Sequence, residues 1–406
     1  MSPSSWIVSQ IGGREHYAIA RGLARRHLLA LLVTDFWRPS WLPAELATAV
    51  PWRPFQRWAG RFADGLDGKV AHFNLASGVA SAWNYGRRPP DQAYVGHIDH
   101  GRWFARKTAR LIERHPSANV FFGYCTASLE ALVVAKARGM FTIVDQIDPA
   151  LEHYRLVEAE RNRFPGWEEH PLQIPEAYWR RLRSEWEVAD LVVVNSEWSR
   201  QGLIKQGVPE HKLAVIPLAY EAPPAPPRAR VSNSPPGALQ VLWLGTVTLG
   251  KGIPYLIQAA REVPGVQFHV AGPMHISSQA VRDAPPNVRF HGQVPHVKTP
   301  DLYAAADVFL LPTISDGFAI TQLEAMARGV PVIATPNCGQ VVVDGHNGFV
   351  VPPRDPQSIA ARLAALDADR GRLDSLSANA LATVGTFTLD KTMDSLLTEV
   401  GRRRSA

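Results

Sequence analysis

Between Glu221 and Gly237 the chain reads EAPPAPPRARVSNSPPG, and six prolines in that stretch keep it out of any helix or sheet interior. On either side of this seam, apolar runs of strand length alternate with helical patterns. Before it the runs are residues 5–10 (SWIVSQ), Val120–Tyr124, Phe141–Gln146, 191–196 and 213–218. Helical patterns lie between them, such as 127–138 and Glu176–Val188. The first run ends in Gly12-Gly13, after which Tyr17, Ala20, Leu23 and Ala24 mark one face of a helix. After the seam the runs are 239–245, 268–272, 308–313 and 331–335. Continuous apolar strands separated by helices imply parallel sheets covered on both faces. The expected fold is therefore α/β, with two facing doubly wound domains. Their expected bounds are residues 1–220 and 238–386, joined by the linker 221–237. Ligands of open parallel sheets sit at the carboxyl ends of the strands, so a cleft between the domains is the expected site.

Composition narrows the class. Of 406 residues, 46% are hydrophobic and 20% charged, which excludes a disordered or fibrous chain. A formal net charge of +6 suits an anionic ligand or surface without singling out nucleic acid. With Cys125 and Cys338 as its only cysteines, the chain has neither a disulfide framework nor a four-thiolate zinc site, and both are expected to be passive small residues. No stretch reaches the roughly 18 consecutive apolar residues of a membrane span. The start, Met-Ser-Pro-Ser-Ser, has no charged region followed by a long apolar one, so a cytoplasmic protein is expected.

The densest signal is PTISDGFAITQLEAMARGVPVIATPNCGQVVVDGHNGFVVPPRD, residues 312–355. A strand leads to the turn at Asp316-Gly317; Ile320, Leu323, Met326 and Ala327 then repeat at helical spacing, and Gly329 ends the helix. The backbone N–H groups at the start of such a helix can receive a phosphate. Asp316 and Glu324 lie eight positions apart, about 12 Å if the span is wholly helical. That suits hydroxyl acceptors at the two ends of an elongated ligand with an anionic centre. The alternative is an acid that favours the helix dipole, followed by a solvated glutamate.

A second signal is GTVTLGKG, residues 245–252. Three glycines let backbone approach a ligand closely. A cation at a helix N-terminus is unfavourable by about 0.3–1 kcal/mol unless an anion sits there, which makes Lys251 a candidate phosphate ligand. The alternative is an exposed loop lysine. Gly252 stands where the triphosphate-binding loop needs Ser or Thr, so ATP or GTP hydrolysis is disfavoured.

Together these signals resemble the large retaining glycosyltransferase group of the GT-B fold, family 4, whose hallmark is an acid, seven residues and a Glu in a stretch like EGFGLxxLEAMAxGxPVIAT. Here it stands as SDGFAITQLEAMARGVPVIAT. The resemblance includes Gly12-Gly13, VVVNSEWSRQGLIKQGVPEHKLAVIPLAYE, LYAAADVFLLP and DGHNGFVVPPRD. It implies two Rossmann-like domains, with the first taking the acceptor and the second the nucleotide sugar. A last helix within 387–406 would cross back onto the first domain.

The reaction implied is transfer of a sugar from a nucleotide-diphosphate donor, UDP- or GDP-linked, to an acceptor hydroxyl with retention of configuration. Residue by residue, the resemblance has Glu324 accept from the donor ribose and Asp316 hold a sugar hydroxyl. Backbone from Gly317 through Phe318, Ala319 and Ile320 would line sugar and phosphate, with Thr321 near the phosphates. Lys251 would neutralise the departing diphosphate. Gly12 and Gly13 would approach phosphate and acceptor, and the base would rest near Gln293 and Val294. Asp145, at the end of FTIVD, is a further catalytic candidate, and His153 a weaker one. Asn195, Ser196 and Arg200 end another strand, where Arg200 meets phosphate or solvent.

Two departures stand out. The family's Arg after the glycine of the first strand (Gly245 here) is Thr246, and the first acid is Asp316 in place of Glu. These alter sugar choice or weaken activity. The alternatives are therefore an inactive nucleotide-sugar-binding protein and a GT-B epimerase or hydrolase. No cofactor and no metal are expected, since nothing resembles a DxD motif. The acceptor is a saccharide, a lipid-linked sugar or a small molecule. Between Phe36 and Phe62, Trp37, Trp41, Trp52 and Trp58 interleave with Arg38, Arg53, Arg57 and Arg61. This segment reads as core, as an acceptor site, or as peripheral contact with the inner face of a membrane.

Overall fold

The computed structural model describes residues 4–42, 58, 60–86, 88–89, 92–168, 173–221 and 237–405. The proline-rich seam from 222 to 236 lies outside them, as do Trp52, Arg53 and Arg57.

Two parallel sheets form the molecule. The first comprises β1 (Trp6–Gln10), β2 (Leu29–Thr34), β3 (Val70–His72), β4 (Val120–Tyr124), β5 (Phe141–Gln146), β6 (Leu191–Val194) and β7 (Leu213–Val215), in the order β3-β2-β1-β4-β5-β6-β7. The second comprises β8 (Gln240–Leu244), β9 (Gln267–Ala271), β10 (Val288–Gly292), β11 (Val308–Leu311), β12 (Val332–Ala334) and β13 (Gly348–Val350), in the order β10-β9-β8-β11-β12-β13. This is the α/β, doubly wound architecture expected. Central strands such as WIVSQ and VFLL are buried along their whole length, as strands covered on both faces must be.

Strand order reverses between β1 and β4 in one sheet and between β8 and β11 in the other. The register there pairs Trp6 with Val120 and Val308 with Val241. A reversal point leaves a crevice at the carboxyl ends of its two strands. The Gly12-Gly13 turn follows β1, the 245–252 loop follows β8, and the 312–324 stretch follows β11. Topology alone thus brings the glycine loops and the acidic pair to the crevices.

Helix Leu389–Ser405 buries Leu389, Met393, Leu396 and Val400 in the apolar layer that also holds Trp6, Val8 and Leu23. The crossing with helix Ala18–Arg25 is close: a Cβ on Gly22 would fall 2.4 Å from Met393 Cγ. A second crossing has no local sequence signature. Helix Leu151–Arg163 precedes the seam, yet Leu156, Phe164 and Trp167 pack on the core of the second sheet. Glu160, 0% exposed, accepts from Arg354 Nε at 2.5 Å and from Tyr255 OH at 2.6 Å. Leu249 N donates to Glu168 Oε1 at 2.9 Å, and Ser277 N to Trp167 O at 2.6 Å. No helix among the described residues is long and apolar enough to cross a membrane.

Candidate functional site

The 316–324 segment is not one helix. Helix Thr321–Met326 begins late, and Ala319 sits in left-handed backbone at φ 61°. The expected turn at Asp316-Gly317 followed by a helix is what forms, so the conditional wholly helical spacing of Asp316 and Glu324 does not apply. Gly317 packs directly on the first half: a Cβ there would meet Ile147 O at 1.9 Å, and Ser196 Oγ donates to Gly317 O at 2.5 Å. Asn195 Nδ2 donates to the same Ile147 carbonyl at 2.8 Å. Asn195 and Ser196 thus dock the Asp316 turn onto the ends of β5 and β6. The Phe318 side chain is in the core beside Phe387, so it leaves only its backbone for a ligand. Ala319, Ile320 and Thr321 are half-buried.

Lys251 lies in the turn just before helix Ile253–Glu262, and its Nζ pairs with the Asp316 carboxylate. Gly252, at φ 74°, allows this approach, since a Cβ would fall 1.8 Å from Pro312 O. His153 stands against the same pair. Burial lowers its pKa, with Asp148 and Asp316 pulling upward and Lys251 downward. Its Nδ1 is buried without a partner. Gly245 is half-buried and Thr246 exposed, so no cation stands at that position. Gln293, exposed, and Val294, half-buried, follow β10. Arg200 is engaged by Glu197 at 2.9 Å and Glu210 at 2.8 Å.

Glu324 lies in a separate cavity of about 440 Å³ between the two halves. Its Oε2 accepts from Tyr303 OH at 2.7 Å, and burial beside that carboxylate pushes the phenol well up. Gly13, Ile320, Arg328 and Glu15 also line this cavity. Sequence reasoning missed Tyr303 and Glu15; the signals were LYAAADV and the position just beyond Gly12-Gly13. Glu15, His16 and Tyr17 all have left-handed backbone, at φ 50°, 48° and 61°. Burial raises Glu15 to about 7 while Arg14 pulls it down. Asp145, at the end of β5, is likewise raised well above the carboxylate range by burial and by Glu15. Gly12 N donates to Asp35 Oδ1 at 2.9 Å.

Trp37 belongs to the core, edge-on to Tyr17 with ring centroids 5.1 Å apart, whereas Trp41 is 78% exposed. Both cysteines are buried, and burial pushes their thiols up, as passive residues would have it. Among the described residues no group of three or more His, Cys, Asp or Glu is placed to hold a metal ion.

Two facing sheets of seven and six parallel strands with this order are the GT-B glycosyltransferase architecture. The whole chain superposes on sucrose-phosphate synthase from Thermosynechococcus elongatus with a TM-score of 0.65 at 19% identity, covering 98% of this chain and 99% of that one. It superposes on Anabaena HepE with a TM-score of 0.61 at 17% identity, covering 98% and 100%. The family resemblance is borne out in the second half, where residues 238–369 match the family model described as "Glycosyl transferases group 1". D-inositol 3-phosphate glycosyltransferase from Xylanimonas cellulosilytica is 30% identical over 253 residues, 56% of this chain and 61% of that protein. O-antigen chain mannosyltransferase B from Escherichia coli is 27% identical over 245 residues, 54% and 62%. The matched stretch thus spans about three-fifths of each curated relative's length.

Proposed function

We propose that this protein moves a sugar from a nucleoside-diphosphate donor to an acceptor hydroxyl, with retention of configuration and without a metal. The carrying observation is that Glu324, fixed by Tyr303, and the Lys251–Asp316 pair both lie on the second half facing the first, at the strand-order reversals. Glu324 takes the ribose hydroxyls. The diphosphate draws Lys251 away from Asp316 and leaves that carboxylate free to accept from the sugar. The bond from the sugar's anomeric carbon to the diphosphate breaks and its electrons pass to the phosphate oxygen, which Lys251 stabilises. The acceptor hydroxyl attacks the same face and passes its proton to the leaving oxygen. Asp145 and Glu15 stand on the acceptor side. The HepE neighbour is described in complex with UDP and glucose, which favours UDP as the first carrier to try.

The acceptor is a saccharide, free or lipid-linked, or a small molecule. Exposed Trp41 is where the first half would rest on a membrane, and the protein is taken as cytoplasmic. The test is a melting-temperature screen with UDP, GDP and ADP, with and without EDTA. A ligand at about 100 times its Kd adds about 2.7 kcal/mol of stability. One diphosphate should raise the melting point regardless of EDTA, and Glu324→Ala should abolish the rise. No shift with any nucleotide would sink the donor reading. A shift without sugar transfer to any acceptor would leave a binding protein.

A further inference from the structure

Arg61 closes the tryptophan- and arginine-rich segment, and nothing above gives it a role. Its backbone is tied down: its N donates to Trp58 O at 2.9 Å, and its O accepts from Arg38 N at 2.7 Å. The guanidinium then lies against Gly12-Gly13. A Cβ on Gly12 would come 2.9 Å from Nη1, and one on Gly13 3.3 Å. Any side chain on this turn would push the guanidinium away. Yet among the described residues the guanidinium has no hydrogen bond and no ion pair. Asp35, beneath the same turn, is taken up by Gly12 N at 2.9 Å and Thr34 Oγ1 at 3.2 Å. Arg14, on the other side, acts on Glu15 and Asp145. A half-buried guanidinium carries five donors, and leaving them unanswered in a protein wall is costly.

The opposite wall brings one cation to the phosphate, Lys251, which at rest is paired with Asp316, and Thr246 brings none. Gly13 lines the same interdomain cavity as Glu324, so the Arg61 turn borders the space a substrate would enter.

We propose that Arg61, seated on the Gly12-Gly13 turn, binds a phosphate group of the substrate, so that the first half supplies the cation missing at Thr246. This rests on the glycosyltransferase reading for its setting. The phosphate is either the donor's diphosphate or a phosphate carried by the acceptor, and the guanidinium fork suits both.

The test is calorimetric titration of wild type, Arg61→Gln and Arg61→Lys with pyrophosphate, inorganic phosphate, a nucleoside diphosphate and its uncharged nucleoside. Arg61→Gln should weaken pyrophosphate about tenfold or more and leave the nucleoside unchanged, while Arg61→Lys keeps part of the affinity. Wild-type pyrophosphate binding should weaken with added salt. A matching loss for the nucleoside diphosphate assigns the donor. A loss for pyrophosphate and inorganic phosphate, with the nucleoside diphosphate unaffected, assigns the acceptor. Equal anion binding by wild type and Arg61→Gln, or no anion binding by wild type, overturns the proposal. Failure of the donor reading shows separately, as no nucleotide binding that depends on Glu324, and leaves the pyrophosphate comparison readable. Melting curves of the anion-free variants show that each is folded.

Discussion

Replacing Glu160 with alanine removes the carboxylate that fastens a helix of the first half into the core of the second. Both its oxygens are committed, one to Arg354 at 2.5 Å and one to Tyr255 at 2.6 Å. Deleting one member of a buried ion pair costs about 3–5 kcal/mol, because the other charge is left unanswered. Arg354 keeps 31% of its side chain exposed, so water reaches it and the lower figure, about 3 kcal/mol, applies. At about 2–4 °C per kcal/mol for a unit of 150–250 residues, the melting temperature should fall by about 6–12 °C. Tyr255→Phe removes one bond and should cost about 1–2 kcal/mol. The double variant should cost less than the sum, because one bond is counted in both single variants. Helix Leu151–Arg163 also carries His153 to the Lys251–Asp316 pair, so Glu160→Ala should weaken nucleoside-diphosphate binding several-fold. The measurements are calorimetric melting and titration on all three variants. A fall below about 2 °C for Glu160→Ala, less than 1 kcal/mol by the same conversion, would refute the view that this cluster fastens the helix.

Tyr303→Phe removes the hydroxyl that fixes Glu324, and a net hydrogen bond of about 0.5–1.5 kcal/mol translates to a roughly 2–12-fold weaker nucleoside affinity, read by titration. Glu15 has a folded-state pKa raised from 4.5 to about 7, chiefly by burial, so the folded state favours its protonated form. Its contribution is complete below pH 4.5 and is lost as pH rises through about 7. Glu15→Gln should therefore gain melting temperature relative to wild type between pH 5 and pH 8, and a constant difference across that range would rule out an ionising Glu15.

Nine of the thirteen strands were legible as short apolar runs next to helical patterns, since burial on both faces of a parallel sheet demands such runs; β2, β3, β10 and β13 were not read from the sequence. Gly252 was legible as a point of close backbone approach, and what approaches it is the carbonyl of Pro312. The pairing of Glu160 with Arg354 was not legible, because the partners are 194 residues apart and neither position breaks its local pattern. Arg61 stood in plain view as one of four arginines, but only the fold sets it on Gly12-Gly13. The turn at Asp316-Gly317 was legible from its residues, whereas the left-handed backbone of Ala319, which holds the helix start back to Thr321, was not.

The Asp316 departure from the family pattern reads differently once its partner is known. A shortened carboxylate suggested a weakened sugar contact, yet this one reaches Lys251 across the crevice. The pair keeps 29% and 18% of its side chains exposed. A pair that still reaches water contributes on the order of 1 kcal/mol. A charge-assisted contact with a phosphate is worth about 1.5–3 kcal/mol. Exchange of Asp316 for a diphosphate at Lys251 is therefore downhill, and it frees a carboxylate beside the phosphate as the sugar arrives. Under the proposed function the ion pair is a resting state of the site, and the Asp316 departure by itself does not decide between a transferase and an inactive binder.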